Sequence, residues 1–258
     1  AKKRKKLRHR GGEKQEGERM REIFYVLLGY LSGSILFARI VPQMLCHVDV
    51  TRAGEDRNPG TFNAFVAAGP LVGTVVLLLE LGKGFLPVHL ALNHLQPEDP
   101  AFSLILLAPV IGHAWPLLHV KEGGKAIAVS FGVLLGMYPF LKPALLLAAL
   151  YLLFSLVLVV RPNLYRSVLT FLCFAVGCLR TAMFPAWRLG CLGISAVVCW
   201  RHIRTGERKP LTFTFLPAFD KMRQATKVHK FHACMKFYDF GERKTPKSRR
   251  FSKKNERI

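Results

Sequence analysis

Charge is scarce through the body of this chain, where a water-soluble fold would need it. Residues 23–200 hold eleven Lys/Arg and seven Asp/Glu in 178 positions. Acids are few everywhere, 16 against 38 Lys+Arg, for a formal net charge of +22. The basic excess lies at the ends: ten Lys/Arg against four acids in residues 1–22, and seventeen against five in residues 201–258. The body lacks zinc-finger spacing and any aromatic–basic RNA pattern, so the basic ends read as headgroup-binding or solvated tails, and no nucleic acid is expected. None of the six cysteines, Cys46, Cys173, Cys178, Cys191, Cys199 and Cys234, forms a CxxC pair. Five lie in or beside apolar stretches and read as small buried residues, not a disulfide framework. The nearest approach to a metal site, His229, His232 and Cys234, has no fourth ligand; no metal and no cofactor is expected. Alternation at a period of two is also missing, which disfavours a membrane barrel.

What the chain has instead is apolar runs. Residues 23–46 carry one charge, Arg39, in twenty-four positions. As a helix they would be ~36 Å long, enough for a bilayer core, and too long for a cleaved signal peptide. Residues 65–92 follow, interrupted by Glu80 and Lys83, then 101–118, 126–141, 143–160, 164–183 and 185–200. The expectation is an all-α polytopic bundle of about seven membrane helices. Residues 1–22 are expected to be a basic, disordered tail, 23–209 the membrane domain and 210–258 a second basic tail. The chain begins at Ala1, with Met20 just before the first run; a natural start at Met20 and a real tail are both compatible with that.

Polar residues inside such a body are functional candidates. Three clusters stand out. The first joins Gly33-Ser34 to the loop of residues 49–65, where Asn58, Gly60 and Asn63 precede an apolar run. A helix beginning there offers backbone N–H groups to an anion, and Arg52 and Arg57 add charge-assisted donors; the plainer alternative is a capped interfacial turn. The second is Glu80 and Lys83, three apart on one helical face, either an ion pair or part of a polar cavity. The third, residues 112–132, carries His113 and the Gly123-Gly124-Lys125 turn. It has the physics of a phosphate cradle without the spacing of a nucleotide P-loop.

In this order the clusters resemble the bacterial membrane glycerol-3-phosphate acyltransferases that use acyl-phosphate, the PlsY family, over residues 23–209. The resemblance implies acyl transfer from acyl-phosphate to the 1-position of glycerol 3-phosphate, giving lysophosphatidic acid and phosphate, with membrane lipids as surroundings. It also implies a multi-pass protein of the bacterial plasma membrane with its site facing the cytoplasm. By the same resemblance Ser34, Arg52, Asn63, His113, Ser167 and His202 are catalytic, and Asn58, Gly60, Lys83, Gly123, Gly124 and Lys125 bind substrate phosphate. Thr170, Gly206 and Glu207 match less closely. The sequence departs from the family pattern at Glu55, Asp56 and Arg57, at Glu122, where a lysine usually precedes GGK, and in the compressed stretch of residues 201–209. The HxxxxD spacing occurs once, from His94 to Asp99, between two apolar runs and apart from the three clusters; a substrate phosphate is expected to help take the hydroxyl proton. The family's outward N-terminus conflicts with ten basic residues in 1–22; a start at Met20 removes the conflict. The alternative is a small transporter or channel for an anionic solute, which would show internal repeats or charges along a pathway. The sequence has no clear repeat, and its polar residues gather at helix ends. Oligomeric state stays open, a monomer included.

Overall fold

The structure, a computed structural model, describes residues 2–53, 58–118, 123–205 and 209–215. Residues up to Thr214 form one compact unit. Nine α-helices are seen among the described residues: α1 (Lys2–Ser34), α2 (Phe37–Cys46), α3 (Val50–Ala53), α4 (Thr61–Leu92), α5 (Phe102–Ala114), α6 (Ile127–Gly136), α7 (Lys142–Leu152), α8 (Asn163–Arg180) and α9 (Pro185–Thr205). A π-helical turn, Leu153–Val157, extends α7, and two short strands, β1 (Leu158–Arg161) and β2 (Thr212–Phe215), pair with each other.

Each of the seven apolar runs contains a helix. Their lengths differ more than hydropathy alone implies. Among the described residues α4 is the one single helix long and apolar enough to cross a membrane. Helices α1 and α2, bent by 41° at a short break, form a second such segment between Gln15 and Cys46. Helix α5 has 13 residues and α6 has 10, ~20 and ~15 Å at 1.5 Å per residue. Turn chemistry shortens them: Trp115-Pro116 follows α5, and the Gly123-Gly124 stretch precedes α6. Helix α4 is kinked at Gly69, whose φ of 83° suits glycine, and Pro70 excludes helical geometry from the residue before it.

The tail expectation changes at the N-terminus. Residues 2–22, expected to be disordered, continue α1 backwards to Lys2. Lys, Arg, Glu and Gln are good helix formers, and the apolar segment beginning at Ile23 supplies the costly nucleus from which they propagate. Residues 216–258, most of the expected C-terminal tail, lie outside the described residues, as do His229, His232 and Cys234.

Helix α5 is central. Its Phe102, Ile105, Leu106 and Val110 are fully buried, and it packs against α1 and α9 while α4 packs on α6. Glycines set both contacts. A Cβ on Gly33 would strike the Pro109 carbonyl, and one on Gly112 the Tyr30 carbonyl; across α4 and α6, Gly132 meets Leu81 and Gly84 meets Val129. Close backbone approach through small residues is how helices associate where lipid removes the hydrophobic drive. Gly33→Val is therefore expected to lower unfolding stability in detergent by about 2 kcal/mol or more. Gly82 has nothing within 4 Å of its would-be Cβ, so Gly82→Ala is expected to raise stability by about 0.5–1 kcal/mol. Thermal unfolding of the two variants checks both signs.

The outer surface is apolar. Leu71, Leu78, Val66, Leu172 and Val176 are exposed, and only 22% of the most apolar window of α4 is buried. A core helix of a soluble protein would be mostly buried, so these faces meet lipid.

Candidate functional site

The break between α1 and α2 creates the first polar feature. Breaking a helix orphans carbonyls at one end and amides at the other. Glu80 and Lys83, one turn apart on α4, answer both. Lys83 Nζ donates to the Ile35 carbonyl at 2.6 Å, and Glu80 Oε1 accepts from the Ala38 amide at 3.3 Å. Cation thus meets the end of α1 and carboxylate the start of α2, the polarity each helix dipole favours. The two side chains also pair directly, Nζ to Oε2 at 2.8 Å, and both are buried. Lys83 Nζ lies 2.9 Å from His113 Nδ1. The same Nδ1 lies 3.2 Å from Glu80 Oε2, so one ring nitrogen faces both the ammonium and the carboxylate.

Beside this triad opens a cavity of about 530 Å³. Its polar lining includes Asn58, Asn63, Glu80, His113, Lys125, Asn163, Arg166, Ser167 and His202. Its apolar lining includes Leu77 and Leu81 of α4 and Ala128, Phe131 and Leu135 of α6, residues spaced to share one side of each helix. Ile127 and Ala128, the first residues of α6, line the wall, and α6 has no side-chain cap; its positive dipole end therefore meets the cavity. Local bonds fix the polar groups. Asn63 Nδ2 donates to the Asn58 carbonyl at 2.7 Å, His202 Nδ1 is 2.8 Å from the Val198 carbonyl, and Ser167 Oγ is 2.8 Å from Tyr151 Oη.

Of the residues singled out in the sequence, the cavity brings together Asn58, Gly60, Asn63, His113, Lys125, Ser167 and His202. Six stand elsewhere. Lys83 sits behind His113, held in the helix break. Ser34 Oγ donates to the Tyr30 carbonyl of its own helix at 2.8 Å. Gly123 and Gly124 stand behind Lys125: a Cβ on Gly124 would strike the His113 ring, and one on Gly123 the Ala114 carbonyl. Arg52 projects into the open on α3, 3.4 Å from Asp49. Thr170 bonds back to the Arg166 carbonyl at 2.7 Å. Glu55, Asp56, Arg57, Glu122, Gly206 and Glu207 lie outside the described residues.

The sequence reading passed over Tyr151, Asn163, Arg166 and Arg201. Tyr151 is a lone hydroxyl in an apolar run and leaves no pattern to read. Arg166 did leave one, since arginines within membrane-length apolar stretches are few; Arg201 directly follows the last apolar run and reads as part of the basic end. Arg201 is buried; it donates through Nε to the Gly124 carbonyl at 3.2 Å and through Nη2 to the Gly123 carbonyl.

A cation, amides and a helix N-terminus lining one cavity together with apolar side chains suit an anionic head joined to an apolar chain. The helical body with a lipid-facing exterior is that of an integral membrane protein. The sequence model of the glycerol-3-phosphate acyltransferase family matches residues 23–209, and this chain belongs to that family. A glycerol-3-phosphate acyltransferase of Azotobacter vinelandii is 36% identical over 176 residues, 68% of this chain and 89% of the relative. One from Myxococcus xanthus is 44% identical over 127 residues, 49% of this chain and 64% of the relative. One from Thermotoga petrophila is 37% identical over 110 residues, 43% of this chain and 55% of the relative. The chain thus spans less than two thirds of the length of these last two relatives. The crystal structure of PlsY (YgiH), an integral membrane glycerol 3-phosphate acyltransferase, in its glycerol 3-phosphate form, matches with a TM-score of 0.62 and 26% identity, covering 71% of this chain and 88% of that one.

Proposed function

We propose that this chain transfers a fatty acyl group from acyl-phosphate to the 1-position of glycerol 3-phosphate. The C1 hydroxyl oxygen attacks the acyl carbon, the bond from that carbon to the phosphate oxygen breaks, and the hydroxyl proton leaves with the phosphate. Products are lysophosphatidic acid and orthophosphate. The observation that carries this is the mixed lining of one cavity: Lys125, Asn58, Asn63 and the start of α6 together with Leu77, Leu81, Phe131 and Leu135. Phosphate binds the first group and the acyl chain the second.

In this scheme Lys125 and the α6 amides hold phosphate and neutralise charge as it develops on the leaving group. Asn58, Asn63, Ser167 and His202 orient the hydroxyl and the phosphates by hydrogen bonds. His113 packs under Gly124 and shapes the turn. Lys83 acts from behind, by fixing His113 and the α1–α2 break, while Gly60, Gly123, Gly124 and Ser34 set backbone paths. Acyl-phosphate is an activated donor, so positioning carries much of the acceleration and no strong base is needed. About seven segments cross or enter the bilayer, residues 23–209 form the membrane domain, and the cavity opens to the cytoplasm of a bacterial plasma membrane. Support for this topology is the helix within each apolar run.

Donor choice tests the scheme. Purified full-length protein with glycerol 3-phosphate is expected to release orthophosphate from acyl-phosphate and to leave acyl-coenzyme A unused. Turnover with the thioester as donor, and none with acyl-phosphate, would rule the scheme out.

A further inference from the structure

The Gly123–Lys125 turn is held from behind by a side chain that does not line the cavity. Arg201, on α9, is 7% exposed. Its Nε donates to the Gly124 carbonyl and its Nη2 to the Gly123 carbonyl, so one edge of the guanidinium grips two consecutive peptide groups. The ring of Trp115 lies beneath it, 5.8 Å from the guanidinium carbon to the ring centroid. In extended backbone, successive carbonyls alternate sides; two turned toward one guanidinium require a bend. Gly123 and Gly124 supply it in a space where any Cβ would strike Ala114 or His113. Trans peptide planarity then turns the N–H groups of Gly124 and Lys125 away from Arg201. The Gly124 N–H does meet the His113 carbonyl, at 3.1 Å.

We infer that Arg201 is a positioning residue for the reaction, clamping the Gly123 and Gly124 carbonyls so that Lys125 and the start of α6 are set for phosphate. The inference rests on the reading of this cavity as the phosphate-binding site of an acyl transfer. The chemistry is specific to arginine: the planar fork matches two carbonyls at once, while a lysine at this position keeps the charge and loses the second bond. Burial sharpens the demand. A guanidinium out of water needs partners, and two carbonyls and an aromatic face supply them here.

The test uses the full-length protein and three variants, Arg201→Lys, Arg201→Ala and, as a surface control on the same helix, Arg204→Ala. Each is first shown to be folded by thermal unfolding. Arg201→Ala is expected to raise KM for glycerol 3-phosphate, and the inhibition constant of orthophosphate, about tenfold or more. Arg201→Lys falls between it and wild type, and Arg204→Ala is unchanged. Added guanidinium ion is expected to restore part of the Arg201→Ala activity, which a packing defect alone would not allow. In a Lys125→Met background, Arg201→Ala is expected to add little, because both act through one turn. Unchanged phosphate inhibition in folded Arg201→Ala overturns the inference, as do fully multiplicative effects of the two substitutions. If Arg201→Ala does not fold, Arg201→Lys decides by the same constants. Wild-type turnover separates the two levels: if wild type is inactive the reaction assignment fails, and orthophosphate binding by calorimetry, wild type against Arg201→Lys, still decides the clamp. Equal affinities there overturn it.

Discussion

Lys125→Met is expected to lower kcat/KM for acyl transfer by about 100- to 1000-fold while leaving the unfolding temperature close to wild type. The magnitude follows from the loss of one preorganised charged donor aimed at developing negative charge. Lys125 is buried, lines the cavity and immediately precedes the uncapped start of α6. There its charge reinforces a helix dipole in surroundings that screen poorly. Methionine has a similar unbranched shape, so packing of the stem survives and the effect reports the ammonium. The α6 amides remain, which is why a residual rate is expected and not complete loss. Kinetics with glycerol 3-phosphate and acyl-phosphate varied in turn check this; a change within threefold would remove Lys125 from the phosphate site.

Lys83→Met is expected to act on stability first. It strands the Glu80 carboxylate in the helix break beside His113 and orphans the Ile35 carbonyl. Breaking one side of a buried ion pair costs about 3–5 kcal/mol, so a large fall in unfolding temperature or in folded yield is expected. Glu80→Gln combined with Lys83→Met removes the uncompensated charge and should recover a substantial part of the loss. Unfolding of the two single variants and the double variant in detergent measures it. A Lys83→Met protein as stable as wild type, or a double variant no better than the single, contradicts the assignment of this pair to the helix break.

That pair shows what the sequence could and could not reveal. Glu80 and Lys83 at a spacing of three were legible as partners on one face. Their service to the ends of α1 and α2 was not, because the break at residues 35–36 is tertiary: nothing in the apolar run of residues 23–46 marks it beyond Gly33 and Ser34. The seven helical runs were legible because each excludes charge over many residues. Their true lengths were less so, since Trp115-Pro116 and the glycines before α6 cut them short. The helix over residues 2–22 was not legible, because composition describes a free chain, while here they continue a helix nucleated by their apolar neighbours. Asn58, Asn63, His113 and Lys125 were found as polar interruptions at helix ends. Tyr151 was not, being one hydroxyl with no periodic signature, and Arg201 escaped because its role lies in two backbone carbonyls seventy-seven and seventy-eight residues away.

The most direct measurement incubates the purified, folded full-length protein with radiolabelled glycerol 3-phosphate and acyl-phosphate, in parallel with Lys125→Met. Label is expected to pass into lysophosphatidic acid with one orthophosphate released per lipid formed, and to fall steeply in the variant. No labelled lysolipid from folded wild-type protein, or equal formation by both proteins, would contradict the assignment.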